Sequence, residues 1–151
     1  MARIFNNDGT YIAQAVLELI NEWEQKPCAV KLDDLGEKPP AMAIQPLQRA
    51  EVVRKYVDGS YIGMFAFSVY IRVSANDTAS RLDATGVLNA LADWLCEADE
   101  TTREYKRLPT IDAKTKAISM EMSATPSIST RYDNGFEDYQ AIFELQYKKR
   151  R

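Results

Sequence analysis

At 151 residues, 46% of them apolar types and 27% charged, the chain has the length of one domain and enough apolar side chains for one real core. A formal net charge of -3 and a pI near 5.1 give no bulk attraction to a phosphate backbone, so direct nucleic-acid binding is disfavoured. Histidine is absent, which removes Ser-His-Asp and Cys-His catalysis, most catalytic zinc sites and the commonest general base at neutral pH, and argues against an enzyme.

The opening "MARIFNNDGTYIAQ" has no apolar h-region, and no run approaches the roughly 20 apolar residues of a bilayer span. The expectation is a soluble, unsecreted protein without a membrane partner. Cys28 and Cys96 are too few for a disulfide framework and are expected as small buried apolar groups.

"NNDGTYIAQAVLELINEWEQKP" begins with Asn and Asp at capping positions and spaces Ile12, Val16, Ile20 and Trp23 by three and four residues. This pattern predicts an amphipathic helix over about 8–25, closed before Pro27. Its other face, Glu18, Asn21, Glu22 and Gln25, reads as solvated rather than catalytic. A loop is expected between Leu32 and Pro40, where Asp-Asp, Gly and Pro-Pro cluster. "AMAIQ" is a short strand that Pro46 ends or turns.

"AEVVRKYV", "DGS" and "YIGMFAFSVYIRV" together predict a hairpin over about 50–73, because β-branched and aromatic runs meet at Asp58-Gly59, a pair suited to positive φ. Tyr61, Phe65, Phe67, Val69, Ile71 and Val73 share one parity. The other parity is apolar through its first half as well, which predicts a strand covered on both faces, in a domain this small by helices and by another subunit.

"ANDTASRLDATGVLNALADWLCEADE" predicts a second helix over about 78–97, capped from Asn76, Asp77 or Thr78, with Leu88, Leu91 and Leu95 at helical spacing. Gly86 inside it suggests close packing against a neighbour. Late strands are expected over about 117–124 and 138–148. In the first, Ile118, Met120 and Met122 alternate with Ser119, Glu121 and Ser123; in the second, Tyr139, Ala141, Phe143, Leu145 and Tyr147 share a face, after a turn at Asn134-Gly135. No solenoid repeat or linker divides the chain. The expected fold is α+β: a single domain over 1–151, a two-layer sandwich of a mostly antiparallel sheet of four to five strands with two helices packed on one face.

Phosphate loops, dinucleotide-binding turns, Cys-x-x-Cys, His-Glu-x-x-His and nucleophile elbows are all missing. Asp33-Asp34 and Glu97 to Glu100 lack calcium-loop spacing and read as solubilising charge. No catalytic residue, cofactor or metal is therefore assigned. Arg54, Lys55 and Arg72 lie among Tyr56, Tyr61 and Tyr70, yet the aromatic RNA-binding pattern is absent.

"IQPLQRAEVVRKYVDGSYIGMFAFSVYIRV", centred on "KYVDGS", then "LADWLCEAD" and "ISMEMSATPSISTRYDNGFEDYQAIFELQYKK", resembles the minor capsid or tail-terminator-like proteins of tailed phages and prophages of Gram-positive bacteria. The resemblance covers about Ala41 to Lys148. It implies a structural virion protein with no catalytic residues, located at the tail and neck or in the host cytoplasm before assembly. It implies a ring of copies of itself, a hexamer, that caps the tail tube and contacts tail-tube and head-completion proteins. On this reading Tyr56, Asp58, Tyr61 and Tyr70 are candidates for the oligomer interface, and Lys148, Lys149, Arg150 and Arg151 form a basic contact tail. The alternative is a small nucleic-acid- or peptide-binding α+β module, marked by steep salt dependence and by loss of binding when the basic tail is removed.

Overall fold

A computed structural model describes residues 8–33, 39–47, 51–74 and 78–150. In chain order these form α1 (Asp8–Asn21), β1 (Val30–Leu32), β2 (Ala41–Pro46), β3 (Glu51–Lys55), β4 (Tyr61–Ser74), α2 (Thr78–Leu95), β5 (Thr115–Arg131) and β6 (Phe136–Lys149). The architecture is α+β, with both helices packed on a six-stranded, mostly antiparallel sheet. The caps read at Asn76 and Asp77, most of the loop between Leu32 and Pro40, and Arg151 lie outside the described residues.

β4 is the central strand, and β6 pairs with it over its whole length, from Tyr61↔Lys149 to Ser74↔Phe136. Its other edge is shared by two strands. β3 pairs with Tyr61 to Met64, and β2 pairs with Phe67 to Arg72. The sheet order is β1-β2-β4-β6-β5, with β3 beside β4, and only β1 and β2 run parallel.

Strand alternation sends Phe65, Phe67, Val69 and Ile71 to one face, and the antiparallel register puts Leu145, Phe143, Ala141 and Tyr139 beside them. Met42 and Ile44 from β2 and Met120 from β5 join the same face. All are buried with Ile12, Val16 and Ile20 of α1, Trp23 just beyond it, and Ala84, Leu88, Leu91 and Leu95 of α2. Each large side chain withdrawn from water contributes about 1.5–3 kcal/mol, so this single cluster is the main source of stability.

α1 stops at Asn21, earlier than the apolar spacing suggests. Its end tightens through Glu22 N–H donating to the Leu19 carbonyl and Trp23 N–H to that of Ile20, each at 3.0 Å. Asn21 is not a solvated residue: its Nδ2 donates to the Val30 carbonyl (3.0 Å) and its Oδ1 accepts from Val30 N–H (2.9 Å), which anchors β1. Three valine-to-leucine residues are too short a strand to show a period, and their polar anchor lies nine residues away.

The late strands outrun their apolar alternation because two antiparallel partners continue to satisfy each other's backbone beyond the core. In β5 the expected parity breaks. A bulge between Ala117 and Ser119 leaves Ile118 unpaired and 39% exposed, while Ala117 takes the core-facing place ahead of Met120.

Gly63 in β4 and Gly86 in α2 behave oppositely. A Cβ on Gly63 would collide with the ring of Tyr147, its cross-strand partner, which is fully buried and cannot swing clear. Among the described residues a Cβ on Gly86 would meet nothing within 4 Å, so none of them packs closely there. Gly63→Ala should lower stability by about 1–3 kcal/mol through overpacking. Gly86→Ala should raise it by about 0.5–1 kcal/mol through helix propensity. Urea unfolding of the two variants checks both signs.

Candidate functional site

The β3–β4 connection is a three-residue loop, Val57-Asp58-Gly59, rather than a two-residue turn. Tyr56 N–H donates to the Ser60 carbonyl (2.9 Å), Gly59 N–H donates to the Tyr56 carbonyl (3.1 Å), and Gly59 takes a φ of 91°. This is a type I turn followed by a left-handed glycine, the usual three-residue hairpin closure. Asp58 Oδ1 accepts from Ser60 N–H (2.9 Å) and Ser60 Oγ (2.6 Å). Those bonds, the hydroxyl first, hold the Asp58 carboxyl below its ordinary range. "YDNGF" closes β5–β6 in the same way, with Asn134 in the place of Asp58 and Gly135 at a φ of 90°.

What projects from this loop is apolar. Val57 is 109% exposed and Tyr56 40%, and all five residues of β3, with Val52 and Val53 among them, are exposed. Lys148 Nζ sits 5.3 Å from the centre of the Tyr56 ring, a cation–π contact between the loop and the end of β6. The register places Lys148 and Lys149 across from Ile62 and Tyr61, and Lys116 across from Lys148. Arg150 N–H donates to the Lys114 carbonyl (2.8 Å). A hairpin tip with an apolar apex and a cationic flank results.

The sequence candidates thus divide. Tyr56, Asp58 and Lys148 meet at the tip, with Lys149 and Arg150 beside them on the end of β6. Tyr61 turns to the helix side of the sheet, half-buried against the core, with its ring edge-on to Tyr147 at 6.5 Å. Tyr70 lies on the face turned away from the helices, where it lines a cavity of about 260 Å³ with Gln45, Arg72, Tyr132 and Asp138.

That cavity is dominated by a polar cluster invisible to local pattern. Arg72 donates from Nε (2.8 Å) and Nη2 (3.0 Å) to the two oxygens of Asp138, its cross-strand neighbour, and from Nη2 to the Tyr132 hydroxyl (3.0 Å). Tyr132 in turn donates to Asp138 Oδ2 (2.8 Å), and the guanidinium lies 4.9 Å from its ring centre. The Asp138 bonds raise the Arg72 pKa, so the guanidinium keeps its charge. Mutually satisfied, the cluster pins the β5–β6 turn to β4.

A second surface missed by the sequence lies between the C-terminal ends of α1 and α2, a cleft of about 680 Å³. Trp23 and Trp94 stand 6.5 Å apart on it, and Arg107 covers Trp94 at 4.8 Å while donating to the Trp94 carbonyl (3.0 Å) and Glu97 (2.9 Å). Arg107 and Lys106 hold the Glu97 carboxyl below its usual range. Glu22, Glu24 and Asp93 complete its rim. Cys28 and Cys96 are free, half-buried and packed against the core, and burial raises both thiols. Among the described residues no group of three or more His, Cys, Asp or Glu is placed to hold a metal, and no helix is long and apolar enough to cross a membrane.

No family model matches the chain, and no curated protein matches it.

Two outcomes are expected from this geometry. Arg72→Ala should cost about 3–5 kcal/mol by stranding buried Asp138, whereas the double exchange Arg72→Met with Asp138→Leu should cost less than the single variant, as read by chemical unfolding. At the tip, Asp58 has a lowered folded pKa, so its contribution is present above the unfolded carboxyl pKa and is lost as pH falls through the folded one. Melting temperatures should therefore separate wild type from Ser60→Ala at neutral pH and converge below about pH 4.

Proposed function

We propose that this chain is a structural virion protein of a tailed phage or prophage, a tail-terminator or minor capsid subunit. In this reading copies of it form a hexameric ring that caps the tail tube and meets the head-completion proteins, without catalysis or a cofactor. The observation that carries it is the hairpin tip. The segment at the centre of the family resemblance, "KYVDGS", is the loop that leaves the core and presents Tyr56 and Val57 to solvent. An apolar side chain held out by a rigid turn gains nothing for the monomer, and contact with another protein is the physical use for it.

The alternative, a nucleic-acid- or peptide-binding module, draws on the cations gathered at the end of β6. Its mark would be binding that weakens steeply with salt.

Native mass spectrometry over a concentration series, with and without magnesium, followed by negative-stain imaging, separates the two. Closed rings of about six copies are expected. A monomer under every condition, retained on DNA at low salt, would overturn the ring in favour of the binding module.

A further inference from the structure

Both helices lie on one face of the sheet, and among the described residues no helix or strand covers the other. On that uncovered face the side chains form rows across the strands, about 7 Å apart along them. One row holds Ile62 of β4, Lys148 of β6 and Lys116 of β5. The next holds Met64, Gln146 and Ser119, and the third Ala66, Glu144 and Glu121. Like charges directly opposite each other destabilise a sheet, yet both outer rows contain such a pair, Lys148 with Lys116 and Glu144 with Glu121. None of the four makes an ion pair with a described residue. Lys148 lies against the Tyr56 ring and Glu121 accepts a 3.4 Å bond from the Tyr105 hydroxyl, and neither contact supplies an opposite charge.

We infer that this face packs against the same face of a second copy, about a two-fold axis that runs along the middle row. Turned over about that axis, the pattern is its own complement. On β6 Lys148 meets Glu144 of the second copy, and on β5 Lys116 meets its Glu121. On β4 the half-exposed Ile62 meets the small Ala66. Met64, Gln146 and Ser119 fall on the axis and meet their own copies, where each Gln146 amide can both donate and accept. At the β3 edge Glu51 also falls near the axis, and Arg54 of each copy, one row away, flanks it. Packed sheets stand about 10 Å apart, a gap that lysine and glutamate span while isoleucine and methionine fill the centre. The occupant is a second copy because one axis gives all three strands a complementary partner at once. A phosphate backbone would use the lysines but be repelled by the glutamates two rows away. A contact between identical surfaces closes at two copies, so the pair does not depend on the ring reading.

The test is a charge exchange between two variants. One carries Lys116→Glu with Lys148→Glu, which makes both outer rows acidic. The other carries Glu121→Lys with Glu144→Lys, which makes both basic. By native mass spectrometry the wild type should give dimers or even-numbered multiples of them. Each variant alone should lose the pair, and an equimolar mixture should regain it as one-to-one heterodimers. Sedimentation should show wild-type pairing weakening as salt rises. Met64→Arg, on the axis and outside the core cluster, should also abolish pairing with the fold retained by circular dichroism. It stands in if either charge variant fails to fold.

Pairing by either folded charge variant alone, or a mixture without heterodimers, would overturn the two-fold contact. Rings of six that form equally well from wild type and both variants would overturn it while leaving the ring reading in place. An acidic variant that pairs normally but loses retention on DNA would also overturn it and assign the lysines to nucleic acid. Wild type that stays monomeric throughout would overturn both the pair and the ring.

Discussion

The pairing of β4 with β6, fourteen residues against fourteen without a bulge, is the constraint on which the rest of the structure depends. Once that register is set, alternation leaves no freedom over which side chains face together. Phe67 stacks on Phe143 with ring centres 5.5 Å apart and on Phe65 at 5.8 Å, and the apolar face so made has to be covered. A slip of one residue would turn every one of these rings to the opposite side. Covering this face is what α1 and α2 do, and their buried stripes belong to the same cluster as the sheet residues.

The consequence for function is a separation of labour along β4. Its C-terminal half is enclosed, by β2 on one edge, β6 on the other and helices over one face. Its first residues pair instead with β3, a strand exposed along its whole length, and from that end the loop projects. Tyr56 and Val57 therefore lie outside the core and can be changed without opening a cavity. The Arg72–Asp138–Tyr132 cluster at the other end has the opposite character: centred on the buried Asp138, mutually satisfied and committed to holding the β5–β6 turn.

Where local chemistry repeats, the sequence is readable in detail. The parity of β4 and β6, the stripe of Ile12, Val16, Ile20 and Trp23, and the two glycine turns all follow from periods of 2 or 3.6 and from the need for positive φ at Gly59 and Gly135. Where one residue interrupts the period, the pattern misleads. Ile118 alternates with Met120 in sequence, yet a bulge moves it out and Ala117 in. Tyr61 has the look of an exposed hairpin aromatic, but its cross-strand geometry brings it against Tyr147 and the core. Gly86 suggests a tight contact, and none of the described residues comes close to it.

The sequence by itself determined the class of the fold, which side chains of β4 share a face and the existence of a turn at Asp58-Gly59, because each rests on interactions between residues close in the chain. Only the tertiary structure decided that β2 and β3 share one edge of β4, that β1 runs parallel to β2, and that Trp23 meets Trp94 while Arg72 meets Asp138. Arg72 and Asp138 stand 66 residues apart and Trp23 and Trp94 farther still, and no local periodicity carries information about which of many compatible distant groups will be brought together. That choice is made by the packing of the whole sheet and its helices, where a single register satisfies the backbone, the core and the buried charges at once.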